Sequence, residues 1–440
     1  IVSDTSAANL TFRVTFSESV LEVDAADFTP VFTGALSGSI SNISAVTPSL
    51  YEVTVGPVTG EGTLRLNLNS SGTNITDAAG NAIVGGFTTG QIYNRILQGN
   101  GTWTRPISGG LWGDQANWIS GIIGGAINNT ADFSTLEITE DVQVHLDSPR
   151  VIGNLIFGDS DVATPGGWTI NNNGNIANTL TMATSAGQPS ILVNSLGVGA
   201  SARISAGVAG STGLNKVGQG TLILNGANTL NGTLNVNAGT LRTEGGSLQS
   251  SVVNMAAGGA RLNIAGGTFT ATGALTVNAG TGSALIVDAG TATFTSLATN
   301  NSAGGLLRVN GGTVNASSVN LPRSSDATPS FATGFVVTGG TTTIANTIGL
   351  GTNNSWGSMS VEGGTLTVGG IVTVGNQASA ARGGQMRVTN GVFTSTNTTP
   401  GNTPGGIVMA QNRSGNANNV ARASFSGGAS SVEKFTLGFD

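Results

Sequence analysis

Residue types that build disulfide frameworks and many enzyme active sites are missing or scarce in this chain. Its 440 residues include no cysteine and one histidine, and aromatic residues make up 5%. Without cysteine the chain has neither disulfides nor thiolate metal sites, which is typical of long secreted bacterial repeats. A single histidine leaves zinc sites and Ser-His-Asp triads incomplete. No apolar run reaches the roughly 18 residues that a membrane-spanning helix needs.

Charge is also sparse, and it is unevenly distributed. Charged residues make up 9% of the chain. The part before residue 162 holds 16 of the 22 acidic residues and five of the 16 basic ones (5 − 16 = −11), and the rest holds 11 basic and six acidic residues (11 − 6 = +5). Neither part has the clustered lysine and arginine that nucleic-acid binding requires. The opposite signs could favour head-to-tail contact between molecules, although such asymmetry is usually simple solvation.

Glycine, by contrast, is abundant, with 69 residues, and it punctuates a repeated phrase. The phrase alternates apolar and polar residues, reaches a glycine or a glycine pair and then alternates again. Eight copies occur: LNVNAGTL from Leu234, LNIAGGTF from Leu262, LIVDAGTA from Leu285, LRVNGGTV from Leu307, FVVTGGTT from Phe335, MSVEGGTL from Met359, MRVTNGVF from Met386 and ASFSGGAS from Ala423. Their aligned glycines, which begin with Gly239, lie 28, 23, 22, 28, 24, 27 and 37 residues apart. Repeats of this length predict a stacked array.

The alternation predicts which residues face the interior of the stack. Alternate side chains of a strand point to one face, and glycine at a corner allows a sharp turn. We expect one inward column of Leu234, Leu262, Leu285, Leu307, Phe335, Met359, Met386 and Ala423. We expect a second column of Val236, Ile264, Val287, Val309, Val337, Val361, Val388 and Phe425. In particular, Val309, Val337 and Val361 should lie one above the next.

A second, offset series of strands indicates three strands in each turn. Its members are LTVNAG from Leu275, TIGLGT from Thr347, VTVGNQ from Val372, IVMAQN from Ile407 and FTLGFD from Phe435. A turn of about 22 residues holds three short strands and three corners, and it rises by one strand spacing of roughly 4.8 Å. Residues 166–440 are therefore interpreted as β-solenoid repeats that continue beyond the chain end.

Residues 1–95 read as short strands separated by Gly, Pro and Asn, which predicts a small β-sandwich. The segments VTFSESVLEVDAADF and ITDAAGNAI resemble those of bacterial immunoglobulin-like domains. Asp24, Asp27 and Asp77 are candidate calcium ligands, because calcium prefers carboxylate oxygens. The alternative is that they cap turns.

Residues 96–165 carry a tryptophan cluster and are interpreted as a cap or as the start of the solenoid. Trp103, Trp112 and Trp118 lie within GTWTRPISGGLWGDQANW. Flat rings could form a carbohydrate platform. We favour the alternative that they bury a large apolar area and plug the first turn.

The segment KVGQGTLILNGANTLNGTLNVNAGTL, Lys216–Leu241, resembles the autotransporter-associated β-strand repeat. The resemblance implies a bacterial protein that is secreted or displayed on the cell surface. With the periodicity, it leads us to expect an all-β chain: an immunoglobulin-like sandwich followed by a right-handed parallel β-helix of about 22–28 residues per turn. Later copies keep only the shorter glycine phrase.

No catalytic, cofactor-binding or metal-binding residue is predicted, apart from the calcium candidates. Asp288 and Glu362 share a position in the repeat, but three turns separate them by roughly 14 Å, too far for a carboxylate pair at one glycosidic bond. His145, in VQVHLDS, is interpreted as an ordinary strand residue. Three longer segments, Asn320–Phe331, Thr396–Gly406 and Gln411–Asn419, are candidate recognition loops or tolerated insertions.

The sequence therefore favours a non-enzymatic extracellular structural protein, a stalk or a self-assembling filament or sheath subunit. One alternative is an adhesin that binds a glycan or host surface through its loops or first domain. A remote alternative is a polysaccharide-degrading β-helix enzyme. The last segment, KFTLGFD, is an uncapped strand, from which we expect self-association or a continuing chain. No nucleic-acid partner is expected.

Overall fold

The computed structural model describes residues 2–5, 7–256, 258–278, 284–299, 306–321, 331, 334–351, 356–375, 383–395, 406–409 and 421–437. Strands hold 59% of the chain and helix 2%, so the fold is all-β. The chain divides into two compact units, residues 1–99 with 121–123, and residues 100–120 with 124–440. Within the described residues, no helix has the length and apolar character needed to cross a bilayer.

The first unit contains two antiparallel-rich sheets around one apolar core. One sheet has the order Val2–Thr5, Ile92–Arg95, Gly62–Leu68 and Phe28–Phe32, and the other has the order Leu10–Thr15, Leu50–Val55 and Ile40–Thr47. A short pair joins Val20–Leu21 to Thr76–Asp77. Both sheets contribute to the core, whose buried members are Leu10, Phe12, Phe28, Leu36, Val53, Val55, Val58, Leu64 and Leu66. The predicted small sandwich therefore matches the two-sheet packing of this unit.

The second unit is dominated by one sheet of 30 strands in which each strand pairs in parallel with a strand one winding further along. The pairing sorts the strands into three faces. Strands that lie wholly on face A are Gly110–Leu111, Val142–His145, Trp168–Asn171, Ala202–Ile204, Thr221–Leu224, Thr240–Thr243, Leu306–Val309, Phe335–Val337, Gly357–Val361, Gly384–Val388 and Ala421–Phe425.

Face B follows face A along the chain, and face C follows face B. Strands wholly on face B are Leu180–Met182, Val208–Gly210, Thr365–Val368, Val392–Ser395 and Ala429–Val432. Strands wholly on face C are Gly101–Thr102, Ser190–Val193, Gly213–Val217, Ile371–Val374, Gly406–Met409 and Phe435–Leu437.

Eight longer strands run round a corner and contribute to two or three faces: Ala126–Phe133, Arg150–Phe157, Ala227–Val236, Ser247–Met255, Arg261–Val277, Ala284–Thr299, Thr313–Leu321 and Thr341–Leu350. The remaining elements are the strands Gln98–Gly99 and Ile123–Gly124 and the single-turn 3-10 helices Ala25–Asp27, Gln115–Asn117 and Ile119–Gly121. The prediction of three strands per turn is confirmed from these pairings.

The central column of the stack is also confirmed. Val309 pairs with Val337, and Val337 pairs with Val361, in parallel register. All three side chains are fully buried. The other predicted column of face A runs in the same way through Leu262, Leu285, Leu307, Phe335, Met359 and Met386. Stacked windings therefore bury an inward face that a single winding would expose.

The first copy of the phrase was placed in the wrong column. Leu234 and Val236 lie on face C, where they pair with Val253 and Met255. The residues one winding before Leu262 and Ile264 are Leu241 and Thr243. The segment LRTEGGSL from Leu241 is thus the true first copy. Its pattern was hidden because Thr243, a polar residue, occupies an inward position, where its hydroxyl donates to the Gly266 carbonyl at 3.1 Å.

The corner between faces A and B is the most uniform part of each winding. From Thr243 onward it spans three residues in every winding: 244–246, 265–267, 288–290, 310–312, 338–340, 362–364, 389–391 and 426–428. Earlier windings differ, with two residues between Leu224 and Ala227 and eight between Asn171 and Leu180. Gly246 has a φ of +60° and Gly364 a φ of +65°. A Cβ on Gly364 would lie 2.6 Å from the carbonyl oxygen of Gly340, one winding earlier. Both the backbone conformation and the close approach therefore require glycine.

Two adjacent glycines test this requirement. Gly246→Ala should destabilise the solenoid by about 1–2 kcal/mol from the left-handed backbone alone, with a further penalty because the new Cβ would collide with the Gly226 carbonyl. Gly245→Ala is the matched control, because nothing lies within 4 Å of a Cβ there. Thermal unfolding of both variants measures the difference. Equal melting temperatures would contradict the glycine requirement.

Candidate functional site

The tryptophan cluster belongs to the interior of the first windings. Trp103 and Trp112 are 0% exposed and Trp118 is 3% exposed. The three rings surround Phe133, with centroid distances of 5.6, 5.4 and 5.7 Å. Each indole N–H donates to a backbone carbonyl, as Trp112 does to Gly124 at 2.8 Å. Buried rings cannot stack on a sugar, so the carbohydrate-platform interpretation is wrong and the rings form core.

The three aspartates considered as calcium ligands accept hydrogen bonds from backbone turns. Asp24 and Asp27 form a capping box on the 3-10 helix Ala25–Asp27. The Asp77 carboxylate accepts from the backbone of Ala79 and from the backbone and side chain of Asn81, at 2.7–2.8 Å. The Asn81 side chain is the main cause that lowers the pKa of Asp77. The described residues contain no group of three or more His, Asp or Glu side chains placed to hold a metal. Calcium binding stays a prediction.

The other candidate groups lie in polar ladders along the windings. His145 is half-buried, and its Nδ1 lies 2.7 Å from Oδ1 of Asn171 in the next winding. Asp288 accepts from the Asn310 side chain at 2.7 Å. Glu362 lies three windings beyond Asp288 and pairs with Arg387 at 2.5 Å. The structure therefore does not bring Asp288, Glu362 and His145 together.

Sequence reasoning missed a fully buried lysine. Lys216 points inward on face C, between Ile191 and Val236. Its ammonium donates to the carbonyls of Val217 at 2.9 Å, Gly218 at 2.8 Å and Ala238 at 3.1 Å. Ala238 belongs to the following winding, so the side chain joins two windings at their corner. Burial lowers the pKa of Lys216 from its usual 10.5 to about 8.

Sequence reasoning also missed a buried asparagine that joins three windings. The Asn228 side chain is 1% exposed. Its Oδ1 accepts from the Val208 N–H at 3.0 Å, and its Nδ2 donates to the carbonyls of Gly226 at 2.8 Å and Ser247 at 3.0 Å. These partners lie in the preceding, the same and the following winding. All the bonding groups of the amide are used.

The alternation of inward and outward positions along each strand could have identified both residues. Lys216 follows the inward Leu214 by two positions, and Asn228 precedes the inward Leu230 by two positions. A polar residue at an inward position next to a corner is the available signal, since the corner frees carbonyls that need donors. Of the three candidate loops, residues 322–330, 396–405 and 411–419 lie outside the described residues.

Both buried polar residues fall within a stretch that matches a known repeat family. Residues 214–242 match the family model described as passenger-associated-transport-repeat. Such repeats are associated with secreted autotransporter passengers, which suggests an extracellular location. No curated protein and no solved structure matches the chain.

Removing the Asn228 amide should destabilise the solenoid. Asn228→Ala would leave one N–H and two carbonyls without their partner, which we expect to reduce the free energy of unfolding by about 2–4 kcal/mol. The control Asn231→Ala changes an exposed residue of the same strand and should stay within about 0.5 kcal/mol of the parent. Urea unfolding followed by circular dichroism measures both. A parent-like Asn228→Ala variant would contradict the assigned role.

Lys216 should make stability depend on pH in the alkaline range. The folded state gives up the Lys216 proton at about pH 8, whereas the unfolded chain keeps it until about pH 10.5. Between these values the unfolded state binds more protons, so the free energy of unfolding should rise with pH. The slope for one group is at most about 1.4 kcal/mol per pH unit.

The comparison that isolates this slope uses Lys216→Met. Urea midpoints of the parent and the variant are measured at pH 7.5, 8.5 and 9.5, and the difference between them removes the contribution of other groups. We expect the parent to gain stability relative to the variant as pH rises. A difference that is constant with pH would contradict the lowered pKa.

Proposed function

We propose that this chain is a non-catalytic extracellular scaffold of a bacterial surface or secreted protein. The observation that carries the proposal is the unbroken series of parallel pairings that links windings from Gly101 to Leu437. The match to a passenger-associated-transport-repeat supports an autotransporter-passenger-like setting. A solenoid of this kind is a rigid element whose length grows with the number of windings.

Two finer structural assignments belong to the proposal. The solenoid is right-handed, since connections between parallel strands of one sheet almost always have that hand. The first unit is an immunoglobulin-like domain, which the two-sheet packing around Phe12, Phe28 and Val53 supports. Together they give a sandwich domain followed by a β-helical rod.

The absence of catalysis is proposed from the placement of the acidic side chains. In the described windings beyond residue 166, Asp288 and Glu362 are separated by two intervening windings. Each is engaged with a neighbouring side chain, Asn310 or Arg387. A glycosidase needs two carboxyl groups within about 5–10 Å, on either side of the scissile bond.

Self-association is proposed from the last described winding. Phe425, Phe435 and Leu437 are 44%, 48% and 51% exposed. In the preceding winding, the equivalent positions Val388, Ile407 and Met409 are at most 8% exposed. Phe425 lies in the inward column, and its edge strand presents unpaired backbone groups. A further winding, from this chain or from another copy, would bury this surface.

The experiment that tests the scaffold proposal is sedimentation velocity with negative-stain microscopy over a range of protein concentrations. We expect the 440-residue chain to form rods that associate end to end, and Phe425→Ser with Phe435→Ser to shift the population towards single rods. Ile176→Ser with Val198→Ser is the control, because it removes two apolar residues elsewhere that are even more exposed, at 88% and 95%. Particles that are not elongated, or turnover of any polysaccharide, would contradict the proposal.

A further inference from the structure

The arginines of the solenoid lie on one face. Beyond residue 166, the described arginines are Arg203, Arg242, Arg261, Arg308, Arg387 and Arg422, and every one belongs to face A. Arg261 and Arg422 are exposed, and the other four are half-buried. Their order along the sequence gives no hint of this, because the spacing between them varies with the length of each winding.

The other two faces differ in chemistry. From Val208 onward, the described outward positions of faces B and C carry no charged residue. Face B instead presents mostly threonine, as in Thr270, Thr293, Thr343 and Thr367. The confinement of the described arginines to face A therefore gives the solenoid one chemically distinct side, and Glu244, Asp288 and Glu362 lie at the adjoining corner.

This face already holds a carboxylate of its own chain. Arg203 Nη2 lies 2.7 Å from Oε2 of Glu244, and Arg242 Nε lies 2.9 Å from Oε1 of the same side chain. Arg203 and Arg242 are two windings apart, so guanidinium groups of separate windings converge on one carboxylate. A guanidinium group presents several hydrogen-bond donors in one plane, and it therefore binds the oxygens of carboxylate and sulfate groups well.

A groove on the same face has room for one sugar ring. It has a volume of about 490 Å³ and lies between the segment 195–201 and the face A strands. Its polar lining includes Gln219, Thr221, Arg242 and Glu244, and Ile223 forms part of its floor. Sites for small ligands have volumes of this order, with a few polar groups that fix orientation.

The arginines form a line rather than a compact patch. Nine steps between windings separate Arg203 from Arg422, which at roughly 4.8 Å per step is about 43 Å. The outward positions Val336 and Ser360, which separate Arg308 from Arg387, are buried. The open part of the line therefore runs from Arg203 to Arg308, five steps or about 24 Å, and an extended chain along the solenoid axis would contact all of it. Double-stranded DNA carries a charge about every 1.7 Å of axis, so four arginines over this length would match few of its phosphates.

We propose that face A is a binding surface for an extended anionic polysaccharide. The arginine line binds the carboxylate or sulfate groups of successive sugars, and the groove beside Arg242 holds one sugar ring. This surface lies on the sheet itself and not on the inserted loops. It gives the scaffold a ligand and is independent of end-to-end assembly.

The test measures binding of the full chain to polygalacturonate and to heparin, with neutral dextran and single-stranded DNA as comparison probes, at two salt concentrations. We expect both anionic polysaccharides to bind, binding to weaken as salt rises, and dextran not to bind. Arg203→Gln, Arg261→Gln and Arg308→Gln together should weaken binding by about tenfold or more. The interactions lost are surface ones, the ion pair of Arg203 with Glu244 and the hydrogen bond from Arg308 to Asn310, so melting temperature should change little.

The matched control removes three positive charges elsewhere, by Arg13→Gln, Arg65→Gln and Arg105→Gln. This variant should bind as the parent does. Equal weakening in both triple variants would mean that net charge governs binding, and that result would overturn the proposal. So would failure to bind either polysaccharide, or single-stranded DNA binding as tightly as they do. Assembly in sedimentation should be the same for all three proteins, which keeps this test separate from that of the scaffold.

Discussion

The solenoid depends on parallel backbone pairing between each winding and the next. This pairing places equivalent residues directly above one another, so residues of the same type recur along the solenoid at a spacing of about 4.8 Å. The column of Val309, Val337 and Val361 is the simplest case. From Thr243 onward a three-residue corner with glycine at its last position recurs between faces A and B, so the same pairing repeats on both faces from winding to winding.

Backbone carbonyls at the corners need hydrogen-bond donors, which the apolar side chains of the columns cannot provide. A sharp turn frees carbonyl groups inside the stack, and buried carbonyls need donors. Lys216 and Asn228 supply them from inward positions, and Thr243 and Ser395 do the same in other windings. A chain with little charge and no disulfide therefore uses single buried side chains to connect windings. The segment that matches the passenger-associated repeat contains two of these connections.

The sequence was sufficient to predict the stack, the three strands per winding and most of the inward columns, because alternation and glycine spacing are local signals. It misplaced Leu234 and Val236, because Thr243 interrupts the apolar pattern of the true copy. It left the tryptophan cluster with two interpretations, since flat rings serve both cores and sugar sites, and burial decided between them. The arginine line could not be predicted from spacing: windings of unequal length hide it, and only the register places the six residues on one face.

Beyond Thr243, insertions occur on either side of face C and not between faces A and B. The corner between faces A and B stays at three residues there, whereas the segments that enter and leave face C differ from winding to winding, as between Ser395 and Gly406 or Leu321 and Phe335. Since each winding contacts mainly its neighbours, a whole winding is a unit that gene duplication can add or remove. Such a lineage can lengthen the rod and diversify the two edges beside face C without redesigning the interior.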